Sequence, residues 1–141
     1  MTRPKPARER GQALAETGIV IALFVTLTMG TIEFGRAWMI ANMITHATRD
    51  GARMAAVVPA TGRSSNGTIS STSAIQTQVL NEISNVMPSS GFTVNVTQPA
   101  PGGIPMVQVQ VTGSVPYLFN LPGVGTSFSV SRTVTFRDEG R

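Results

Sequence analysis

Residues Thr17–Ile32 form an apolar run of 16 residues with no charged side chain, placed directly behind a basic head. Arg3, Lys5, Arg8 and Arg10 fall within the first ten positions and only Glu9 opposes them. A basic head followed by such a run is a pattern of export or membrane insertion. As a helix the run spans about 24 Å, short of the roughly 30 Å of a bilayer core. Starting at Ala13 gives 20 residues, but then Glu16 lies inside the segment. A carboxylate at membrane depth costs about 2.5–3.5 kcal/mol on insertion scales, which makes it a functional residue by default. The alternative places Glu16 at headgroup level with a slightly short helix.

The rest of the charge distribution narrows the function. The chain of 141 residues carries a net charge of +4 and an isoelectric point near 11.1. Such a value suggests phosphate or nucleic acid as a partner. The strongest basic cluster is the head itself, however, and no basic patch interleaves with aromatic residues elsewhere, so no nucleic-acid partner is expected. The absence of cysteine removes disulfides, thiolate chemistry and lipid attachment through cysteine. From Ala60 onward the charged residues are Arg63, Glu82, Arg132, Arg137, Asp138, Glu139 and Arg141. This is too sparse a set for convergent catalytic groups. His46 lies one helical turn before Asp50, which reads as a solvated pair rather than an oriented base. Glycines 102, 103, 123 and 125 lack the lysine of a phosphate loop. No enzyme activity, cofactor or metal is expected.

Beyond Phe34 the pattern turns periodic. Phe34, Trp38, Ala41, Thr45, Thr48, Ala52 and Ala56 share one stripe, widened by Ala37, Ile44 and Ala55. Asn42, His46, Arg49, Asp50 and Arg53 gather on another face. Pro59 stops the helix, which the spacing predicts over 13–57. Within the apolar run Gly18, Ala22, Thr26 and Gly30 recur every four residues, a small-residue ridge of the kind that lets membrane helices approach closely.

The remaining chain reads as a small α+β unit. Residues 60–72 are a polar loop with an Asn66-Gly67 turn, and Ser73 offers an N-cap for an amphipathic helix over 74–86 with Ile75, Val79, Ile83 and Val86 on one face. Three alternating runs follow: Phe92, Val94 and Val96; then Val107, Val109, Val111 and Val115; then Phe128, Val130, Val134 and Phe136. Arg132 interrupts the third as an edge charge that discourages unwanted pairing. Asn66-Gly67-Thr68 and Asn95-Val96-Thr97 match glycosylation sequons. The expected fold is α+β: a long N-terminal transmembrane helix continuing outside the membrane, packed with a short helix and a small antiparallel sheet.

Gly11 closes the basic head and Glu16 follows five positions later, at the junction with the apolar run. This resembles the processing site of type IV prepilins, in which a peptidase cuts after the glycine and the glutamate becomes the fifth mature residue. The resemblance puts the cut between Gly11 and Gln12 and implies that Glu16 pairs with the new amine of a neighbouring subunit. Gln12 departs from the aromatic residue common at that position, which puts its N-methylation in doubt. The string Glu33-Phe34-Gly35-Arg36, the segment Thr48–Arg53 and the closing valine and phenylalanine strands are similar to the TadE-like pseudopilins of tight-adherence, Flp-type pili. That resemblance implies a pilin-like fold, a prepilin peptidase, other pilin or pseudopilin subunits and an inner-membrane secretion platform as partners.

The organisation expected is a leader over 1–11, a transmembrane helix over 12–33, its extramembrane continuation over 34–58 and an exported α+β domain over 59–141. Positive charges flanking the span count four before it against three after it, so the cytoplasmic leader is carried mainly by the resemblance. A conventional secretory signal would need a small-residue cleavage site after the run, and Glu33-Phe34-Gly35-Arg36-Ala37-Trp38 offers none. Two functions follow. One is a structural minor pilin or pseudopilin in the bacterial inner membrane, able to enter a surface pilus that serves adhesion. The other is an uncleaved single-pass protein whose exported domain binds a partner without polymerising.

Overall fold

The computed structural model describes residues 7–100, 103–119, 123 and 125–140, with side chains from Gly11 onward. Arg3 and Lys5, and the side chains of Arg8 and Arg10, lie outside that set. Helix α1 runs Ala7–Ala56 and α2 runs Ser73–Ser84, followed by strands β1 (Phe92–Thr97), β2 (Met106–Pro116) and β3 (Ser127–Arg137). Short 3-10 turns sit at Ala60–Gly62 and Ser89–Gly91. This is the expected α+β set. Two compact units divide the chain, Met1–Ala37 and Trp38–Arg141.

In the second unit the strands form an antiparallel meander in the order β1-β2-β3. Val94 faces Val111, Val109 faces Val134 and Val107 faces Phe136, so the alternating valines share the inner face. β-Branched side chains suit this half-buried pleat. The outer face carries Thr93, Asn95, Gln108, Gln110, Ser131, Thr133 and Thr135, with Arg137 at its end opposite Met106. The core joins Ile40, Ile44, Ala47, Ala52 and Ala55 of α1, Ile75, Val79 and Ile83 of α2, and the sheet valines.

The buried face of α1 is rotated from the expected stripe. Thr48, Ala52 and Ala56 are buried as read, with the Thr48 hydroxyl donating to the Ile44 carbonyl at 2.6 Å. Trp38 is 64% exposed, whereas Ile40, Ala47 and Gly51 point inward. Gly51 explains the rotation. A Cβ there would collide with Val79 and touch Ile75 and Val109 at 3.7 and 3.8 Å, so α2 and the sheet close on the helix where it has least bulk.

Helix α2 begins one residue early. Thr72 stands at the cap and makes no side-chain capping bond, while the Ser73 hydroxyl pairs with that of Ser71 at 2.8 Å. In a serine-rich approach the hydroxyls satisfy one another. Val86 falls beyond the helix and is exposed. At Asn66-Gly67 the turn forms as read: Gly67 has φ 81°, its N–H donates to the Ser64 carbonyl, and Asn66 Oδ1 accepts from the Thr68 N–H and hydroxyl.

Strand β3 is an edge strand, as expected for Arg132. The arginine is exposed, and its Nε donates to Thr45 Oγ1 of α1 at 3.3 Å.

One arrangement escaped the sequence altogether. Arg63 and Asp138, 75 positions apart, form a bidentate ion pair at 2.6 and 2.8 Å with side chains 3% and 0% exposed. Arg63 also donates to the Val58 and Gly67 carbonyls, and Gln98 donates to Asp138. The following tail caps α1: the N–H groups of Glu139 and Gly140 both reach the Ala56 carbonyl, at 3.0 and 3.1 Å. A helix end otherwise leaves such carbonyls unsatisfied.

Candidate functional site

The residues singled out for processing and assembly lie on the first unit of the chain. Between Gly11 and Gly30 every side chain is exposed except Met29, which is half-buried, with Leu14 at 74% and Ile19 at 71%. An 18-residue window of this helix reaches a mean hydropathy of 1.8 with none of it buried, which is enough length and apolarity to cross a membrane. Threonines inside the run do not break it. The hydroxyls of Thr17, Thr26, Thr28 and Thr31 donate to the carbonyls of Ala13, Ala22, Phe24 and Leu27 at 2.8–2.9 Å. Each polar group is thereby satisfied within the helix, as a lipid environment requires.

Glu16 stands at the start of this apolar surface, and Gln12, one turn earlier, donates its side-chain amide to Glu16 Oε1 at 3.0 Å. A carboxylate offers about four acceptor positions on its two oxygens, so this bond leaves capacity for a further donor. Gly11 is exposed, with nothing within 4 Å of where a Cβ would stand. The same holds at Gly18 and Gly30, so among the described residues nothing lies within 4 Å of a Cβ at either glycine of the ridge they form with Ala22 and Thr26.

The second motif folds on itself. Glu33 Oε1 accepts from Arg36 Nη2 at 2.8 Å, one turn apart, with side chains 13% and 21% exposed. The pair neutralises two charges just past the apolar run. Phe34 is exposed and Gly35 is open. His46 and Asp50 are both exposed on the outer helix face.

The family model described as TadE-like protein matches residues 11–53. The match begins at Gly11 and takes in the Gln12–Glu16 bond, the small-residue ridge, the Glu33–Arg36 pair and the helical segment through Gly51. It is the family that the quoted motifs resemble. No curated protein and no solved structure matches the chain. Over the TadE-like segment, then, the geometry is that of a membrane-anchoring helix with a carboxylate at its head.

Proposed function

We propose that the protein is a minor pilin or pseudopilin of a tight-adherence pilus or related secretion filament, matured by a prepilin peptidase that removes residues 1–11. The observation that supports this reading most is the placement of Gly11 and Glu16 at the head of an apolar helix that is exposed among the described residues, at the point where the TadE-like match begins. Cleavage would create an ammonium group on Gln12. Paired with Glu16 of a neighbouring subunit, it would offset the cost of holding either charge in lipid. Before assembly, the Gln12 amide gives the carboxylate a partner within its own chain. The small-residue ridge would then let neighbouring helices approach closely.

In this reading the leader is cytoplasmic, the helix spans the inner membrane once, the exported domain lies outside, and a secretion platform receives the subunit. The protein acts by assembly, without catalysis or cofactor.

Variants expressed in the native cell separate the two steps. Gly11→Ala is expected to leave the chain at full length. Glu16→Ala is expected to be shortened normally, yet its share of the sheared filament fraction falls by about tenfold or more, since 1.4 kcal/mol of lost pairing already gives that factor. Normal incorporation of the Glu16→Ala subunit would remove the pairing mechanism.

A further inference from the structure

At the end of the sheet where Met106 pairs with Arg137, the last turn of α1 and the end of β3 enclose a cleft of about 280 Å³. Arg53, Ala56, Val57, Phe136, Arg137 and Glu139 line it, all within the unit Trp38–Arg141. Among the described residues, none of the three charged side chains has an ion pair or a hydrogen-bond partner. Two guanidiniums against one carboxylate leave the cleft with a net positive charge. Val57, part of its apolar wall, is 62% exposed. A guanidinium presents a planar fork of donors that matches a carboxylate. The cleft therefore fits a carboxylate with an apolar side chain beside it.

The same unit presents those two groups at its other end. Glu82 lies in the last turn of α2, and Val86, four residues on, is 49% exposed. The Glu82 carboxylate accepts from the Gln78 amide at 3.3 Å and keeps capacity for further donors. Gln76 of α2 donates to the Val94 carbonyl of β1, and the chain leaving α2 rejoins the sheet at Phe92, opposite Gly113. Helix α2 thus runs against β1. Val94 pairs with Val111, five residues from Met106, or about 17 Å from the Arg137 end. Glu82 lies six helical residues beyond Gln76 in the other direction, about 9 Å further. The cleft and the Glu82 end are therefore about 25 Å apart along the strands.

We infer that the occupant of the cleft is a second copy of this chain. Its Glu82 sits between Arg53 and Arg137, and its Val86 packs against Val57 and Phe136. The two surfaces lie at opposite ends of the unit, so the contact is head-to-tail. Each copy that fills a neighbour's cleft leaves its own open for the next, and such a contact extends as an open row rather than closing as a dimer. Glu139 limits the cleft to one incoming carboxylate, since a second would face repulsion. The inference deepens the filament-subunit reading and rests on it, but it uses neither Gln12 nor Glu16.

The chain has no cysteine, so introduced thiols report on this contact alone. Full chains carrying Val57→Cys or Val86→Cys, with different epitope tags, are produced together in the native cell and treated with a short bismaleimide. The mixed crosslinked pair is expected at a yield at least about fivefold above that of Val86→Cys with Thr133→Cys, an exposed position on the outer sheet face. Adding Glu82→Arg to the Val86→Cys chain, or Arg137→Glu to the Val57→Cys chain, is expected to bring the yield down to that control. With both added, at least half of the yield is expected to return, which a folding defect would not allow. A yield equal to the control, a product dominated by the Val86→Cys chain linked to itself, or a charge swap without recovery overturns the contact. The sheared filament fraction of the same cells separates this failure from that of the reading beneath it. A chain present in that fraction without the crosslink loses the contact and remains a filament subunit. A chain absent from it overturns the subunit reading, and the contact with it.

Discussion

Asp138→Ala is expected to destabilise the unit Trp38–Arg141 by about 3–5 kcal/mol, the usual effect of leaving one member of a buried ion pair uncompensated. Both side chains are almost fully excluded from water, and the Arg63 guanidinium spends three of its bonds on Asp138 and the Val58 carbonyl. Removing the carboxylate strands a buried cation that cannot deprotonate. The same change releases the tail that caps Ala56, so the long helix loses its C-terminal closure together with the pair. A domain of this size has about 5–15 kcal/mol of stability in total, so the loss is a large share of it. Urea unfolding of the full chain in detergent, followed by circular dichroism, measures the effect. The double variant Arg63→Met with Asp138→Leu removes both charges and is expected to recover most of the loss. A single-variant loss below about 1 kcal/mol would place the pair in the class of solvated surface bridges.

Gly51→Val is expected to cost about 1–3 kcal/mol through overpacking, with further strain from branching at Cβ. Gly51→Ala decides the point more sharply because two effects oppose one another. Alanine favours a helix by about 1 kcal/mol over glycine, so on an open face the substitution would stabilise. Here the added methyl meets Val79 of α2 and lies within 4 Å of Ile75 and Val109. The clash is expected to outweigh propensity and lower the urea midpoint. Val79→Ala makes room, so the double variant is expected to lose less than the two single losses together. A raised midpoint for Gly51→Ala alone would mean that α1 and α2 stand further apart than this structure has them.

These two sites show what the sequence could and could not convey. The long helix, expected over 13–57 and found at Ala7–Ala56, and the three strands were legible because their patterns are local: an uncharged run, a polar face from Asn42 to Arg53, and valines at every second position. The direction in which α1 faces its core was not legible. Aromatic bulk at Phe34 and Trp38 reads as core, whereas the packed face is built from Ile, Ala and Gly51, whose value lies in what they allow to approach. Arg63 and Asp138 stand 75 positions apart in a sparse set of charges, with no motif to join them. Only the closure of the meander brings a loop residue and a tail residue together, and no periodicity encodes that. The candidate processing site was the most legible part, since Gly11, Gln12 and Glu16 lie within six residues at a sharp change in composition. The TadE-like match covers that site and stops at Arg53, so the β-sheet domain rests on its own physical reading.

The basic character of the whole chain also takes a local meaning under this account. Without residues 1–11 the chain would retain seven basic and six acidic side chains, close to neutral before the new amine is counted. The charge that suggests phosphate binding would then belong to a removable leader.

The mature N-terminus tests the central claim most directly. The protein is isolated from membranes of the cell that makes it, and its first residues are read by mass spectrometry. A chain beginning at Gln12 is the predicted result. A chain that still begins at Met1 or Thr2, or one cut beyond the apolar run near Ala37, would contradict it.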